Sequence, residues 1–333
     1  MIDAMPDNPF ELVAAYVASG IFPGASFALV NGSAIQKYVK GYNRLKPEPV
    51  LLEADMAYDL ASVSKVVGTG TLMINLILSG EIGLDDLLMM HYPEFQGQGR
   101  ELLTIRQLLT HTSGIDPFIK NRNRLAYTEL REALNHVTVT ADKSFHYSDV
   151  NFILLGFMLE AIYHQDLADI LQAQVFTPFN MQHTGFVAPD STVATAWDLP
   201  KGVVHDPKAQ VLGRHTGSAG LFSDLDDLIA FAQAYFANPA YLTLLQDYAH
   251  ADKPRSLAWD LIGLKGTTQT RMGQWLLHTG YTGTFILLNL QTQQAVIFLS
   301  NRVHLRDERK QWLIDRDVLI QAFLKMMAAK ENS

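Results

Sequence analysis

Ser62 and Lys65 are the first residues of this sequence whose types and spacing could carry out chemistry, within the segment Ser62-Val63-Ser64-Lys65. The segment lies where an extended stretch, residues 57–60, passes into a helical pattern. In the first turn of a helix the side chains at positions i and i+3 meet, so the lysine can reach the serine hydroxyl. An amine whose pKa is lowered by burial or by another cation can take the hydroxyl proton, and the freed oxygen can then attack a carbonyl. Taken alone, the motif also fits a helix cap followed by a surface lysine.

Two further groups of polar residues stand at the ends of predicted elements. Tyr147-Ser148-Asp149 precedes an apolar helical pattern, where the serine or the aspartate can cap the helix but the tyrosine has no such role. His278-Thr279-Gly280 follows a predicted strand, and by itself it also fits a polar turn. His111, at the end of a predicted helix in Thr-His-Thr-Ser-Gly, is predicted to be structural.

Taken in this order, the three groups resemble the motifs of the serine β-lactamase and penicillin-binding protein superfamily, which are Ser-x-x-Lys, Tyr-x-Asn and Lys-Thr-Gly or His-Thr-Gly. The class C-like branch, with its DD-carboxypeptidases and related esterases, is the best match. The resemblance extends from about Gly24 to Arg302 and includes three other stretches, residues 108–114, 219–223 and 299–303. It implies an α/β (α+β) fold of the β-lactamase/transpeptidase type, with an antiparallel sheet flanked by helices and an inserted, mostly helical domain.

Carried over to this sequence, the resemblance implies a role for each matching residue. Ser62 would be the acylated nucleophile, Lys65 its activating partner, and Tyr147 the proton shuttle toward the leaving group. The backbone N–H groups of Ser62 and Tyr281 would form the oxyanion hole. Substrate binding would fall to the remaining motif residues, which are Asp149, His278, Thr279, Gly280 and Arg302. No cofactor is implied.

Two positions depart from the family pattern, and both change the expected charge of the site. Asp149 stands where the family usually has Asn, so an amide donor is replaced by an acceptor that is expected to be ionised. His278 stands where many β-lactamases have Lys, so a fixed positive charge becomes titratable. Both changes disfavour an anionic substrate, although Arg302 is a candidate to restore a carboxylate anchor. They favour the hydrolysis of neutral esters or small acyl groups.

The function expected from these residues is that of a carboxylesterase-like serine hydrolase working through an acyl-enzyme. A DD-carboxypeptidase or a weak β-lactamase is the alternative within enzymes. A non-catalytic relative that binds penicillin-like or acyl ligands is the alternative of another class. The expected partner is a small molecule: an ester, an acyl-D-amino acid or a β-lactam-like compound.

The elements that must position these residues follow from the apolar periodicity. Residues 1–60 and 200–333 are predicted to form an α/β domain with an antiparallel sheet, residues 61–199 a mostly helical domain, and the cleft between them the active site. The predicted helices are residues 9–19, 62–79, 104–110 and 148–164 and one at the C-terminus; the predicted strands are 26–30 and 34–38, joined by a type I′ turn at Asn31-Gly32, and 256–262, 274–278, 284–290 and 295–300.

Composition excludes several other classes. The 333 residues carry 26 Lys plus Arg against 34 Asp plus Glu, with no block of like charge, which argues against nucleic acid and anionic membranes as partners. The lack of cysteine excludes disulfides, thiolate nucleophiles and zinc-thiolate sites. His205, Asp206 and His215 fit no tight metal motif, so no metal is expected. Neither a membrane span nor a signal peptide is predicted, which indicates a cytoplasmic protein, or a secreted one if the N-terminus has been trimmed.

Overall fold

A seven-stranded antiparallel sheet forms the centre of the protein, which a computed structural model describes for residues 8–263 and 275–331. Its strand order is β3-β2-β1-β9-β8-β7-β6, so three strands from the N-terminal part of the chain and four from the C-terminal part join through the pairing of β1 with β9. The mostly helical part of the chain lies between the two groups in sequence. A separate two-stranded ladder pairs β4 with β5. The strands are Gly24–Asn31 (β1), Ala34–Arg44 (β2), Val50–Leu51 (β3), Tyr58–Asp59 (β4), Phe222–Ser223 (β5), Asp260–Ile262 (β6), Trp275–Thr279 (β7), Phe285–Asn289 (β8) and Gln294–Ser300 (β9).

Helices cover both faces of this sheet, which is why its central strands are apolar on both sides. Along β1, Phe27 and Leu29 join a core cluster with the terminal helices, while Ala28 and Val30 face the second, larger cluster of the helical part. The helices are Pro9–Ser19 (α1), Thr71–Leu78 (α2), Leu88–His91 (α3), Ile105–Thr110 (α4), Tyr127–Asn135 (α5), Asp149–Tyr163 (α6), Leu167–Leu171 (α7), Pro207–Leu212 (α8), Leu225–Ala237 (α9) and Arg309–Glu331 (α10). The expected fold class is confirmed, whereas the predicted domain boundaries stay a prediction.

The N-terminal hairpin is confirmed, but its turn lies one residue later than the sequence predicts. Asn31 pairs with Ala34, so the two central residues of the turn are Gly32 and Ser33. Only Gly32 has a positive φ, at 59°. A type I′ turn needs a positive φ at both central positions, so that assignment is wrong.

The predicted strand 256–262 is wrong over its first half. Only Asp260–Ile262 is extended, because Ala258 has a φ of 67° and the backbone N–H of Ser256 closes a turn onto the carbonyl of Trp259. Leu257, Ala258 and Trp259 are buried in the core, but their backbone does not belong to a strand. The three later strands match their predicted positions to within one residue, apart from Gln274, which lies outside the described residues.

The helix predicted from Ser62 to Ser79 is helical but not a single α-helix. It begins with a 3₁₀ turn, Ala61–Val63, and passes through a π-helical turn, Val66–Gly70, before α2. Gly70 lies so close to the chain that a Cβ would approach the Lys65 carbonyl oxygen to 2.6 Å. Among the described residues Ala61–Leu78 is long and apolar enough to cross a membrane by composition, but 78% of it is buried inside the protein.

Candidate active site

A short turn after β4 carries Ser62, and the carboxylate of Asp59 holds that turn. Asp59 Oδ1 accepts a hydrogen bond from the Ala61 N–H at 2.9 Å, and Oδ2 accepts one from the His205 N–H at 2.7 Å. Ala61 has a φ of 46°, which is unfavourable for a residue with a side chain. Burial raises the pKa of Asp59 to about 6 despite these two donors. The turn is therefore a strained conformation that its surroundings impose.

The loop between β7 and β8 is tied to the same turn. Thr282 Oγ1 donates to the Asp59 carbonyl at 2.8 Å, and Thr284 Oγ1 donates to the Leu60 carbonyl at 3.0 Å. A Cβ at Gly280 would lie 2.5 Å from that Leu60 oxygen, so the position requires glycine. These contacts bring the third motif against the first.

Lys65 is fully buried and makes three hydrogen bonds. Its Nζ donates to Ser62 Oγ at 2.9 Å, to Asp149 Oδ1 at 2.8 Å and to the Ser218 carbonyl at 2.7 Å. Burial alone would lower the pKa of Lys65, but the charge of Asp149 and the contact with Tyr147 more than offset it, so the pKa is raised. The lowered pKa that a lysine base requires is therefore absent, and Lys65 is an ammonium donor.

Asp149, the first residue of α6, lies between two lysines. Its Oδ2 is 3.1 Å from Lys208 Nζ, while its Oδ1 receives Lys65. Burial opposes ionisation, but Lys65 and Lys208 outweigh it and hold the pKa of Asp149 well below its usual range. The carboxylate is ionised as expected, but its charge is balanced inside the protein. The expected repulsion of a substrate carboxylate by Asp149 is correspondingly weakened.

Tyr147 immediately precedes Ser148, the N-cap residue of α6, and is 47% exposed. Its ring centre lies 5.2 Å from Lys65 Nζ and 4.4 Å from the ring centre of His111. His111 is buried, and its Nδ1 accepts hydrogen bonds from the Ser148 N–H and from Asn151 Nδ2. The sequence predicts a structural His111 but does not predict its contact with the Tyr147 ring. The motif Thr-His-Thr-Ser-Gly was the only feature of the sequence that drew attention to this histidine.

His278 is buried beside these groups and is neutral. Burial, followed by the charges of Lys65 and Arg255, lowers its pKa to about 3. Neither ring nitrogen has a hydrogen-bond partner within the part of the chain that the structure describes. His278 therefore supplies no positive charge to the cleft near neutral pH. The next residue, Thr279, accepts a hydrogen bond from Arg316 Nη1 at 3.3 Å.

Acid is consequently expected to destabilise the protein through His278. The imidazole gains a proton near pH 6.5 in the unfolded chain but only near 3 in the folded one, so its stabilising contribution is complete above 6.5 and is lost as the pH falls. Between pH 7 and pH 5 the loss is about 2 kcal/mol. Urea unfolding of the wild type and of His278→Gln at both pH values measures it. Equal pH dependences in the two proteins would contradict the depressed pKa.

Arg302 is buried and holds the loop that contains Tyr281. Its Nε donates to the Tyr281 carbonyl at 2.9 Å, its Nη1 pairs with Asp307 at 2.5 Å, and its guanidinium lies 4.7 Å from the tyrosine ring centre. Since Arg302 already has an anionic partner, it is poorly suited to the carboxylate anchor expected from the sequence. Its contacts suit the positioning of Tyr281.

A cleft of about 450 Å³ opens beside these residues. Ser62 and Tyr147 line it together with the third motif. Three partly or fully exposed cations, which sequence reasoning did not select, also line it: Lys253, Arg309 and Arg316. They lie in a late loop and on α10, and only tertiary folding brings them to the motifs. The structure thus places the predicted site residues on the cleft wall except for two: Lys65 lies buried behind Ser62, and Asp149 lies behind Lys65.

Two groups of acidic and histidine side chains elsewhere in the described residues have ligand-type atoms close together: Glu160, Asp166 and His215, and His183, Asp224 and Asp227. His215 Nδ1 contacts Glu160 at 2.5 Å, and Asp227 accepts from the backbone N–H groups of Gln182 and His183. These hydrogen bonds give His215, Glu160 and Asp227 a structural role within the fold. His205 and Asp206 join neither group.

Comparison with known proteins agrees with this fold. A family model described as Beta-lactamase matches residues 10–320, and the chain belongs to this family, one of hydrolases with the β-lactamase fold. Over 326 residues it is 28% identical to a Salmonella agona (strain SL483) protein named "Putative D-alanyl-D-alanine carboxypeptidase", covering 80% of this chain and 74% of that one. The family predicted from the three motifs is confirmed.

Solved structures show the same fold at low sequence identity. The structure titled "EstCE1, a hydrolase with promiscuous acyltransferase activity" has a TM-score of 0.74 at 18% identity, covering 93% of this chain and 97% of that one. A class C β-lactamase from Rhodobacter sphaeroides has a TM-score of 0.75 at 16% identity, covering 96% and 100%. At these identities the similarity concerns the fold alone.

Proposed function

We propose that the protein is a serine hydrolase that forms a covalent acyl-enzyme at Ser62, with esters and small acyl or amide compounds as substrates. The observation that carries the proposal is the 2.9 Å contact between Lys65 Nζ and Ser62 Oγ on the wall of an open cleft. A buried ammonium that donates to the serine oxygen stabilises negative charge there as the hydroxyl proton leaves.

The proton itself is assigned to Tyr147. Because the ion pair with Asp149 keeps Lys65 protonated, the lysine is a poor acceptor. Tyr147 lines the cleft together with Ser62, and its ring centre lies 5.2 Å from Lys65 Nζ, which places its hydroxyl among the groups beside the nucleophile. In this mechanism the Tyr147 hydroxyl relays the proton: as Ser62 Oγ attacks and releases its proton to the phenol oxygen, the phenol passes its own proton to the leaving group, so Tyr147 is neutral before and after the step. Water then attacks the acyl-enzyme, and Tyr147 relays the proton in the opposite direction, from the water to Ser62 Oγ.

The oxyanion is assigned to the backbone N–H groups of Ser62 and Tyr281. Within residues 8–263 and 275–331 neither group donates a hydrogen bond to the protein, so both are available to a substrate carbonyl. The contacts of Asp59 and Arg302 fix the two backbone segments before substrate arrives. Such preorganised donors are worth about 3 kcal/mol of barrier each.

A second candidate substrate class, acyl compounds whose leaving group carries a carboxylate, is favoured by Arg316. Its Nη1 faces the cleft, 3.3 Å from Thr279 Oγ1. Its Nη2 pairs with Asp317 at 3.0 Å, but Asp317 is half-exposed and does not line the cleft, so the pair is screened by solvent and leaves Nη1 available to a substrate. The neutral-ester preference expected from the sequence rested on repulsion by Asp149 and on the loss of a fixed positive charge at His278. The charge of Asp149 is balanced by Lys208, which weakens the first reason, and the neutral His278 leaves the binding of a carboxylate to the other cations of the cleft. The D-alanyl-D-alanine carboxypeptidase name of the Salmonella relative fits this class.

A matched pair of aryl esters tests both candidates, one with a phenol and one with a 3-hydroxybenzoate leaving group. We expect hydrolysis of both, with a higher kcat/KM for the carboxylate ester and a ratio that falls about tenfold in Arg316→Gln. A ratio below one that Arg316→Gln leaves unchanged would reject the carboxylate class and retain the neutral ester. Binding of either compound without hydrolysis or an acyl adduct would favour the non-catalytic ligand-binding alternative.

A further inference from the structure

Lys208, which pairs with Asp149, has no part in the mechanism above. The Lys208 side chain is 8% exposed, and its Nζ lies 3.1 Å from Asp149 Oδ2 and 2.9 Å from Asp206 Oδ2. The other oxygen of Asp149 receives Lys65. One carboxylate is therefore shared between the lysine that contacts the nucleophile and a second lysine from a distant part of the chain.

We infer that Lys208 is a positioning residue, which acts through Asp149 to set the place and charge of Lys65. This inference rests on the proposed function at Ser62. The residue that Lys208 contacts is the one where this sequence departs from the family's Asn, so the added negative charge at Asp149 is accompanied by an added positive charge.

Charge balance gives the physical reason for the pair. Lys65 and Lys208 share the Asp149 carboxylate, which leaves the acid ionised without placing its full negative charge on Lys65. Asp206 is the second carboxylate of the cluster, and it contacts Lys208. Without Lys208, Asp149 would hold Lys65 alone and draw its ammonium away from Ser62 Oγ. A displacement of about 1 Å at such a contact can cost on the order of 100-fold in rate.

The segment that carries Lys208 is itself fixed to the nucleophile turn. The backbone N–H of His205 donates to Asp59, and the His205 ring stacks on Tyr281 with ring centres 5.1 Å apart. Asp206 then caps α8 by accepting from the N–H of Lys208 and of Ala209. Lys208 is therefore held at a defined position relative to both Ser62 and the oxyanion loop.

A double-mutant cycle in Lys208 and Asp149 tests this inference through hydrolysis of an aryl ester. Lys208→Met is expected to lower kcat about 10- to 100-fold with little change in KM. Asp149→Asn combined with Lys208→Met removes both charges together, and its kcat should exceed that of Lys208→Met alone. Lys208→Arg keeps the charge and should recover most of the activity. Lys201→Met, a matched exposed lysine of the same segment, should match the wild type.

The outcomes separate a positioning role from a merely structural one. If Lys208→Met fails to fold, Lys208→Gln, which keeps a hydrogen-bond donor without the charge, replaces it in the cycle. A double variant that is no better than the single one, or a Lys208 variant with wild-type kcat, overturns the inference while leaving the proposed function in place. A wild-type protein that neither hydrolyses the ester nor forms an adduct overturns both.

Discussion

A fluorophosphonate probe is expected to label Ser62 and no other residue of this protein. Ser62 lines the cleft, and its Oγ receives a hydrogen bond from a fully buried ammonium 2.9 Å away. Peptide mapping after labelling identifies the site. Ser62→Ala should lose the label together with at least about 1,000-fold of the ester hydrolysis, because removal of a nucleophile leaves only binding and oxyanion stabilisation.

Two other serines near the site provide the controls. Ser113 is buried with its hydroxyl bonded to Asn151, and Ser218 is fully buried and meets Lys65 through its carbonyl oxygen. Neither contact activates a hydroxyl. Ser218→Ala should keep the label at Ser62, whereas modification of Ser113 or Ser218 in the wild type would refute the assigned nucleophile.

Local spacing explains why the central part of this site could be predicted from sequence. Ser62 and Lys65 are one helical turn apart, so their contact follows from helix geometry even though the observed turn is 3₁₀ and then π-helical. The sheet was predictable for the same reason, since β8 and β9 are continuous apolar runs. Where an apolar run was buried without being extended, at Leu257 to Trp259, pattern alone could not distinguish core from strand.

Charge was less predictable, because sequence shows a residue's type but not its partner. Asp149 was assigned a repulsive charge, yet Lys208 balances it. Arg302 was predicted as a possible anchor for a substrate carboxylate, yet it already forms an ion pair with Asp307. His278 was assigned a titratable charge, which burial removes. Each partner or environment arises from tertiary packing, so the expected substrate preference was the least secure inference from sequence.

Removal of the Tyr147 hydroxyl should affect catalysis without affecting stability. Tyr147→Phe is expected to lower kcat by about 100- to 10,000-fold at nearly constant KM, because proton transfer occurs in the transition state and not in substrate binding. The ring keeps its packing on His111, and the side chain is already half-exposed, so the free energy of unfolding should change little. Steady-state kinetics and urea unfolding of the same preparation measure both quantities. Tyr42→Phe, at an exposed tyrosine of β2, is the matched control.

Lys65→Met provides the contrasting result that makes the Tyr147 assignment specific. It removes a fully buried partner of Asp149, and breaking a buried ion pair costs about 3 to 5 kcal/mol, so this variant should lose stability as well as kcat. Loss of the proton relay at Tyr147 should lower kcat alone, whereas loss of the ammonium at Lys65 should lower both kcat and the free energy of unfolding. If Tyr147→Phe keeps near-normal kcat while Lys65→Met does not, the proton must pass through Lys65. Lys65 would then have to be a neutral amine during turnover, in contradiction to its raised pKa.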